Sequence, residues 1–88
     1  MKLNELKVGD DGEQVLLLQI MLRCMGYCGA NGKPLSLDKK FGTNTLYAVL
    51  RFQEQAIAYG ADVGNENGEA DGIWGSKCWN YTLGTEEL

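Results

Sequence analysis

A carboxylate, an aromatic and a glycine recur in fixed order along this chain, each time ahead of a run with helical period. No other feature constrains the fold as much. The order reads Asp38-Lys39-Lys40-Phe41-Gly42-Thr43-Asn44-Thr45 and returns as Asp71-Gly72-Ile73-Trp74-Gly75-Ser76-Lys77-Cys78. A weaker version, Gly9-Asp10-Asp11-Gly12, precedes the first long apolar segment. Glycine takes positive φ at little steric cost, so the aromatic–glycine pair marks a sharp turn. Aspartate favours such turns because its carboxylate accepts hydrogen bonds from nearby backbone amides. Thr43 and Ser76 stand where an N-cap hydroxyl is wanted. The expected fold is all-α: a compact three-helix bundle with long glycine-rich connecting loops.

The helical periods locate the three elements. The first helix is expected over about residues 11–25, with Val15, Leu18, Leu22 and Met25 on one face. Leu16, Leu17, Ile20, Met21 and Cys24 cover most of its opposite side, so this helix is either central or has a partner surface. Gly26 is placed for a left-handed C-cap. The second helix spans about residues 43–58, with an inner stripe of Thr45, Ala48, Val49, Phe52 and Ala56. Tyr47, Arg51 and Glu54 form its polar face. The third is short, about residues 76–83, with Trp79 and Leu83 at i, i+4 and Gly84 as the stop. Leu3, Leu6 and Val8 of an extended N-terminal arm are available to the core. Residues 1–5 and 84–88 read as flexible ends around a domain core of about residues 6–83.

Eighty-eight residues make one domain, residues 1–88. A formal charge of −4 with no Lys/Arg cluster argues against nucleic acid and against an anionic membrane surface. No apolar run is long enough to span a bilayer. The opening residues lack a secretion-signal pattern, so synthesis in the cytoplasm without a signal peptide is expected. The three cysteines, Cys24, Cys28 and Cys78, are an odd number and read as buried free thiols. With no histidine, His-based triads and ordinary zinc sites are excluded. The segment Asn65-Glu66-Asn67-Gly68 invites comparison with a calcium loop. Aligning Gly68 with the loop glycine puts Val63 and Trp74 at ligand positions, so the calcium reading fails. No metal and no cofactor is expected.

Read end to end, Leu6-Lys7-x-Gly9-Asp10-x-Gly12-x-x-Val15-x-x-Leu18-Gln19-x-x-Leu22-x-x-x-Gly26-Tyr27 resembles the opening of the peptidoglycan-binding domain family of cell-wall hydrolases. The resemblance continues through Asp38-x-x-Phe41-Gly42-x-x-Thr45-x-x-Ala48-Val49-x-x-Phe52-Gln53 and closes with Asp71-Gly72-Ile73-Trp74-Gly75-x-x-Cys78-Trp79. It implies a three-helix fold that binds bacterial cell wall and has no catalytic activity of its own. Two positions depart from the family pattern. Lys39 stands where glycine is usual, so the first turn is expected to open differently, and Cys78 replaces a customary threonine. Both inter-helix loops also read as longer than usual.

Peptidoglycan offers sugar faces, amides, and stem peptides with carboxylates and amines. Aromatic platforms with a few placed polar groups suit such a ligand. The candidate ligand-binding residues are Tyr27, Tyr47 and Trp74 as platforms, with Asp38, Asn44 and Arg51 as polar contacts. Arg51 is able to fork onto a stem-peptide carboxylate, and Asp38 to meet an amine. Each has a structural alternative. Phe41 and Trp74 better suit the core, Asp38 and Asp71 their own turns, and Arg51 and Tyr47 an ordinary helix surface. No carboxylate pair sits where a raised pKa is expected, so no catalytic residue is assigned. The expected role is a non-catalytic wall-binding module that anchors an associated or fused cell-wall hydrolase. It would act at the wall as part of a longer chain or of a lysin released by phage or cell lysis. The alternative is a protein–protein interaction domain using the apolar first helix as a dimer or interdomain surface. In the wall-binding reading the three helix starts bring their loops together as one receptor.

Overall fold

The computed structural model describes residues 2–84. Three helices follow in order: α1 (Glu13–Cys24), α2 (Thr43–Ala58) and α3 (Ser76–Leu83). Among the described residues no strand forms, and three isolated backbone bridges join the loops, Leu6 to Trp74, Asp11 to Lys40 and Cys28 to Pro34. The expected ends at residues 85–88 and at Met1 lie outside the described residues.

α1 begins two residues later than its periodicity suggests. Gly12 is its N-cap at φ 113°, and Asp11 is held extended by the bridge to Lys40. Its end follows the expected pattern. Gly26 takes φ 89°, its N–H donates to the Arg23 carbonyl, and the Tyr27 N–H donates to the Leu22 carbonyl, a Schellman closure. Thr43 and Ser76 are not the N-caps. Gly42 and Gly75 hold those positions without a side-chain cap bond, and the two hydroxyl residues open the helices.

The core is one cluster running from Leu6 through Val15, Leu18, Leu22, Phe41, Val49 and Phe52 to Trp74 and Trp79. The inner stripe of α2 is as expected. On α1, Val15, Leu18 and Leu22 are fully buried, but Met25 is 42% exposed because the chain turns away at Gly26. Leu83 and Val8, both expected inside, are exposed too. Phe52 stacks obliquely on Trp74 at 4.9 Å, and Trp74 meets the edge of Trp79 at 5.8 Å. Aromatic pairs of this kind add about 0.5–1.5 kcal/mol each beyond area burial.

Two buried glutamines, Gln19 and Gln53, fasten the recurring turns. Gln19 Oε1 accepts from the Lys39 N–H at 3.1 Å, while its Nε2 approaches Asp38 Oδ1, the Lys40 carbonyl and Thr45 Oγ1 at 3.0–3.1 Å. Gln53 repeats this one helix later. Its Oε1 accepts from the Gly72 N–H at 2.9 Å, and its Nε2 approaches Asp71 Oδ1 and the Val63 and Ile73 carbonyls at 3.0–3.1 Å. Lys39 at φ 65° matches Gly72 at φ 75°, so the first turn keeps the geometry of the second despite its lysine. The N-terminal arm then stitches both turns together. Leu6 and Trp74 exchange both backbone hydrogen bonds, and the Gly12 N–H donates to the Lys39 carbonyl.

Candidate functional site

The largest hollow is an open groove of about 450 Å³ between the loop that follows α1 and the flank of α2. Tyr27, Tyr47, Arg51 and Gln55 line it, with the backbone of Gly26, Gly29 and Gly32 along the opposite wall. The loop owes its close approach to small residues. A Cβ on Gly29 would sit 2.7 Å from Asn44 Cβ. Asn44 in turn pins the loop, its Oδ1 accepting from the Ala30 N–H at 3.0 Å.

Inside the groove the polar groups are placed by neighbours. The Tyr27 hydroxyl donates to Gln55 Oε1 at 2.6 Å, and its ring meets the edge of Phe52 at 5.9 Å. Burial, followed by the neighbouring Tyr81, raises the Tyr27 pKa above its ordinary value, against a smaller lowering by Arg51. Arg51 Nη1 lies 3.3 Å from Glu54 Oε1, both side chains about half exposed, so this pair contributes at most a few tenths of a kcal/mol. Tyr47 is 43% exposed.

Of the six candidate residues, the structure gathers Tyr27, Tyr47 and Arg51 on one groove. Asn44 stands at its edge and also borders a second, smaller hollow with Asp38 at the start of α2. Asp38 is occupied with its own turn. Its Oδ1 accepts from Gln19 Nε2 and from the Lys40 N–H, and the first of these chiefly lowers its pKa below the usual value. Trp74 is not a platform: at 0% exposure, pinned by Leu6 and packed on Phe52, it presents no face to a ligand. The helix starts do not build a common receptor either. The hollows at the starts of α2 and α3 are separate from each other and from the groove.

Sequence reasoning missed Gln55, whose signal was its place four residues after Arg51 and eight after Tyr47. The cysteines also differ from expectation. Cys24 is exposed, Cys28 half-buried in the loop, and only Cys78 is buried. Because α1 ends at Cys24, the two sulfurs of the Cys24-x3-Cys28 pattern do not share a helix face. Among the described residues no group of three or more His, Cys, Asp or Glu is arranged to hold a metal ion. Asn65 closes its own turn, its Oδ1 accepting from the Asn67 and Glu69 amides.

A shallow groove carrying aromatic faces, an amide and a guanidinium, mounted on a small stapled helical scaffold, defines a binding domain. A family model described as "Putative peptidoglycan binding domain" matches residues 11–56, more than half of the chain, and the chain belongs to that family. The fold is also similar to that in the crystal structure of the SleB N-terminal domain. That similarity has a TM-score of 0.71 and 25% identity, over 96% of this chain and 94% of that one. No curated protein matches the chain. The domain is therefore a peptidoglycan-binding domain, and its place of action is the cell wall.

Proposed function

We propose that this domain is a non-catalytic anchor that holds wall polymer in the groove of Tyr27, Tyr47 and Arg51, keeping a linked or associated cell-wall hydrolase at its substrate. The observation that supports this most is that Tyr27, Tyr47 and Arg51 line one open groove of about 450 Å³. Such an anchor acts through effective concentration: once it is seated, the hydrolase searches only the polymer within reach of the linkage.

The test is retention on purified sacculi. The domain is expected to co-sediment with them, and Tyr47→Ala and Arg51→Ala are each expected to weaken retention about three- to tenfold, with thermal midpoints unchanged. Both side chains are surface-exposed, so their loss leaves the core intact. Sacculi that fail to retain the folded domain would overturn the reading. So would a concentration-dependent dimer that buries this same groove.

A further inference from the structure

Tyr47, Arg51, Gln55 and Tyr59 follow one another at four-residue intervals along α2, Tyr59 being the helix C-cap. Residues so spaced are neighbours on a helix surface. At 1.5 Å per residue the row extends about 18 Å, well beyond the groove itself. Tyr27 lies over its middle through the bond to Gln55. Tyr81 rests on Phe52 at 5.8 Å, as Tyr27 does at 5.9 Å. Tyr47 and Tyr27 share the groove, and Tyr59 and Tyr81 are 86% and 52% exposed. The two tryptophans and two phenylalanines are buried. Aromatics with a hydroxyl have been sorted outward, in a row that winds about 120° around α2 from Tyr47 to Tyr59.

Resting on the wall-binding reading, we infer that this tyrosine ridge holds the glycan strand of peptidoglycan, and not its stem peptide. A pyranose ring presents an apolar C–H face bounded by hydroxyls, which matches the apolar ring and polar tip of tyrosine. Repeated platforms along about 18 Å suit a polymer of repeating rings. A stem peptide makes different demands. Its carboxylate seeks positive surroundings, whereas Glu54 stands 3.3 Å from Arg51 and the chain as a whole carries −4. Its backbone would seek an open strand edge, and the described residues form no strand. Gln55, whose Oε1 is taken by Tyr27, keeps its Nε2 to donate to the carbonyl of an N-acetyl group.

The experiment titrates the labelled domain with chitotetraose, an oligomer of N-acetylglucosamine, and separately with a synthetic stem pentapeptide, following amide resonances by NMR. Sacculus retention is measured in parallel. The sugar is expected to shift the signals of Tyr27, Tyr47, Gln55 and Tyr59, and the tetramer to bind more tightly than the dimer. Tyr59→Ala and Tyr81→Ala are each expected to weaken sugar binding about three- to tenfold, the scale of one lost aromatic face. Tyr59 touches little of the core, so its replacement keeps the fold and the comparison clean. Shifts with the pentapeptide alone, or unchanged sugar affinity in Tyr59→Ala, would overturn the glycan assignment while sacculus retention left the wall-binding reading standing. Loss of retention on sacculi would remove both.

Discussion

Replacing Gln53 by leucine removes the polar staple between α2 and the turn before α3 while conserving volume, so the cost reports hydrogen bonding and not a cavity. Gln53 is fully buried. Its loss strands the buried Gly72 N–H, for which Oε1 was the acceptor at 2.9 Å, while the buried Val63 carbonyl, which took Nε2 at 3.0 Å, keeps only the weak Cys78 thiol donor at 3.3 Å. The orphaned buried amide costs about 1–3 kcal/mol, and the weakened Val63 carbonyl adds to this. A domain of this length has a total stability of about 4–13 kcal/mol, so Gln53→Leu is expected to remove a substantial share of it. Gln19→Leu is the companion test, since the two glutamines make equivalent bonds. The Lys39 N–H and Lys40 carbonyl that it frees belong to exposed residues, which water can serve, but the buried Thr45 hydroxyl loses its donor at 3.1 Å, so about 1–3 kcal/mol is expected. Urea unfolding measures both, a lower midpoint at constant slope giving the loss directly. Either variant within about 1 kcal/mol of the parent would refute the argument that these buried bonds hold the turns.

The turn geometry predicts opposite outcomes at equivalent positions: Lys39→Gly relieves a left-handed residue at a cost of only an exposed ion pair with Glu13, so its thermal midpoint should equal or slightly exceed the parent's. Gly72→Ala, at φ 75° with its new Cβ 2.5 Å from Leu46 Cδ1, should lower stability by about 1–3 kcal/mol in the same melt. Thiol labelling of the folded domain should modify Cys24 fastest, Cys28 more slowly and Cys78 only on unfolding, as mass spectrometry would show. Burial pushes the Cys78 thiol from its ordinary 9.0 up to about 11, so the folded state holds this proton more tightly than the unfolded one. Its contribution to stability is therefore complete below pH 9.0 and is lost as pH rises towards about 11. Cys78→Ser should flatten that alkaline loss in urea titrations, and an unchanged slope would count against it.

Periodicity carried the fold because the signals that define it are local. The α2 stripe, the Schellman glycine at Gly26 and the short α3 each depend on residues within a few positions of one another. What escaped was set by partners distant in sequence. Gln19 and Gln53 read as polar residues on helices, and nothing near them announces that each will reach about 20 residues ahead to hold a turn. Asp11 looked like the start of a helix until Lys40 paired with it. Trp74 suits the core and a platform alike in residue type, and its burial, with the backbone pairing to Leu6 68 residues away, makes it the core plug that the sequence reading favours. Tyr27, Tyr47 and Arg51 were legible as exposed aromatic and cationic positions, but their convergence was not, since it depends on the loop after α1 folding back against Asn44.

The same hydrogen bonds explain why the groove lies on the flank of α2 and not among the helix starts. At the turn before α2, Asp38 Oδ1, the Lys39 N–H and the Lys40 carbonyl are all engaged by Gln19. At the turn before α3, Asp71 Oδ1, the Gly72 N–H and the Ile73 carbonyl are engaged by Gln53 in the same way. A ligand arriving at either turn would have to displace these bonds, and at the second turn the groups freed would be buried. The flank of α2 carries no such obligation. Tyr47 and Tyr59 are exposed, and Tyr27 and Gln55 hold one another in place while keeping hydrogen-bonding capacity towards solvent. The recurring turns therefore spend their polar atoms on holding three short helices together, and the exposed Tyr47 and Tyr59 of the α2 flank take no part in that stapling.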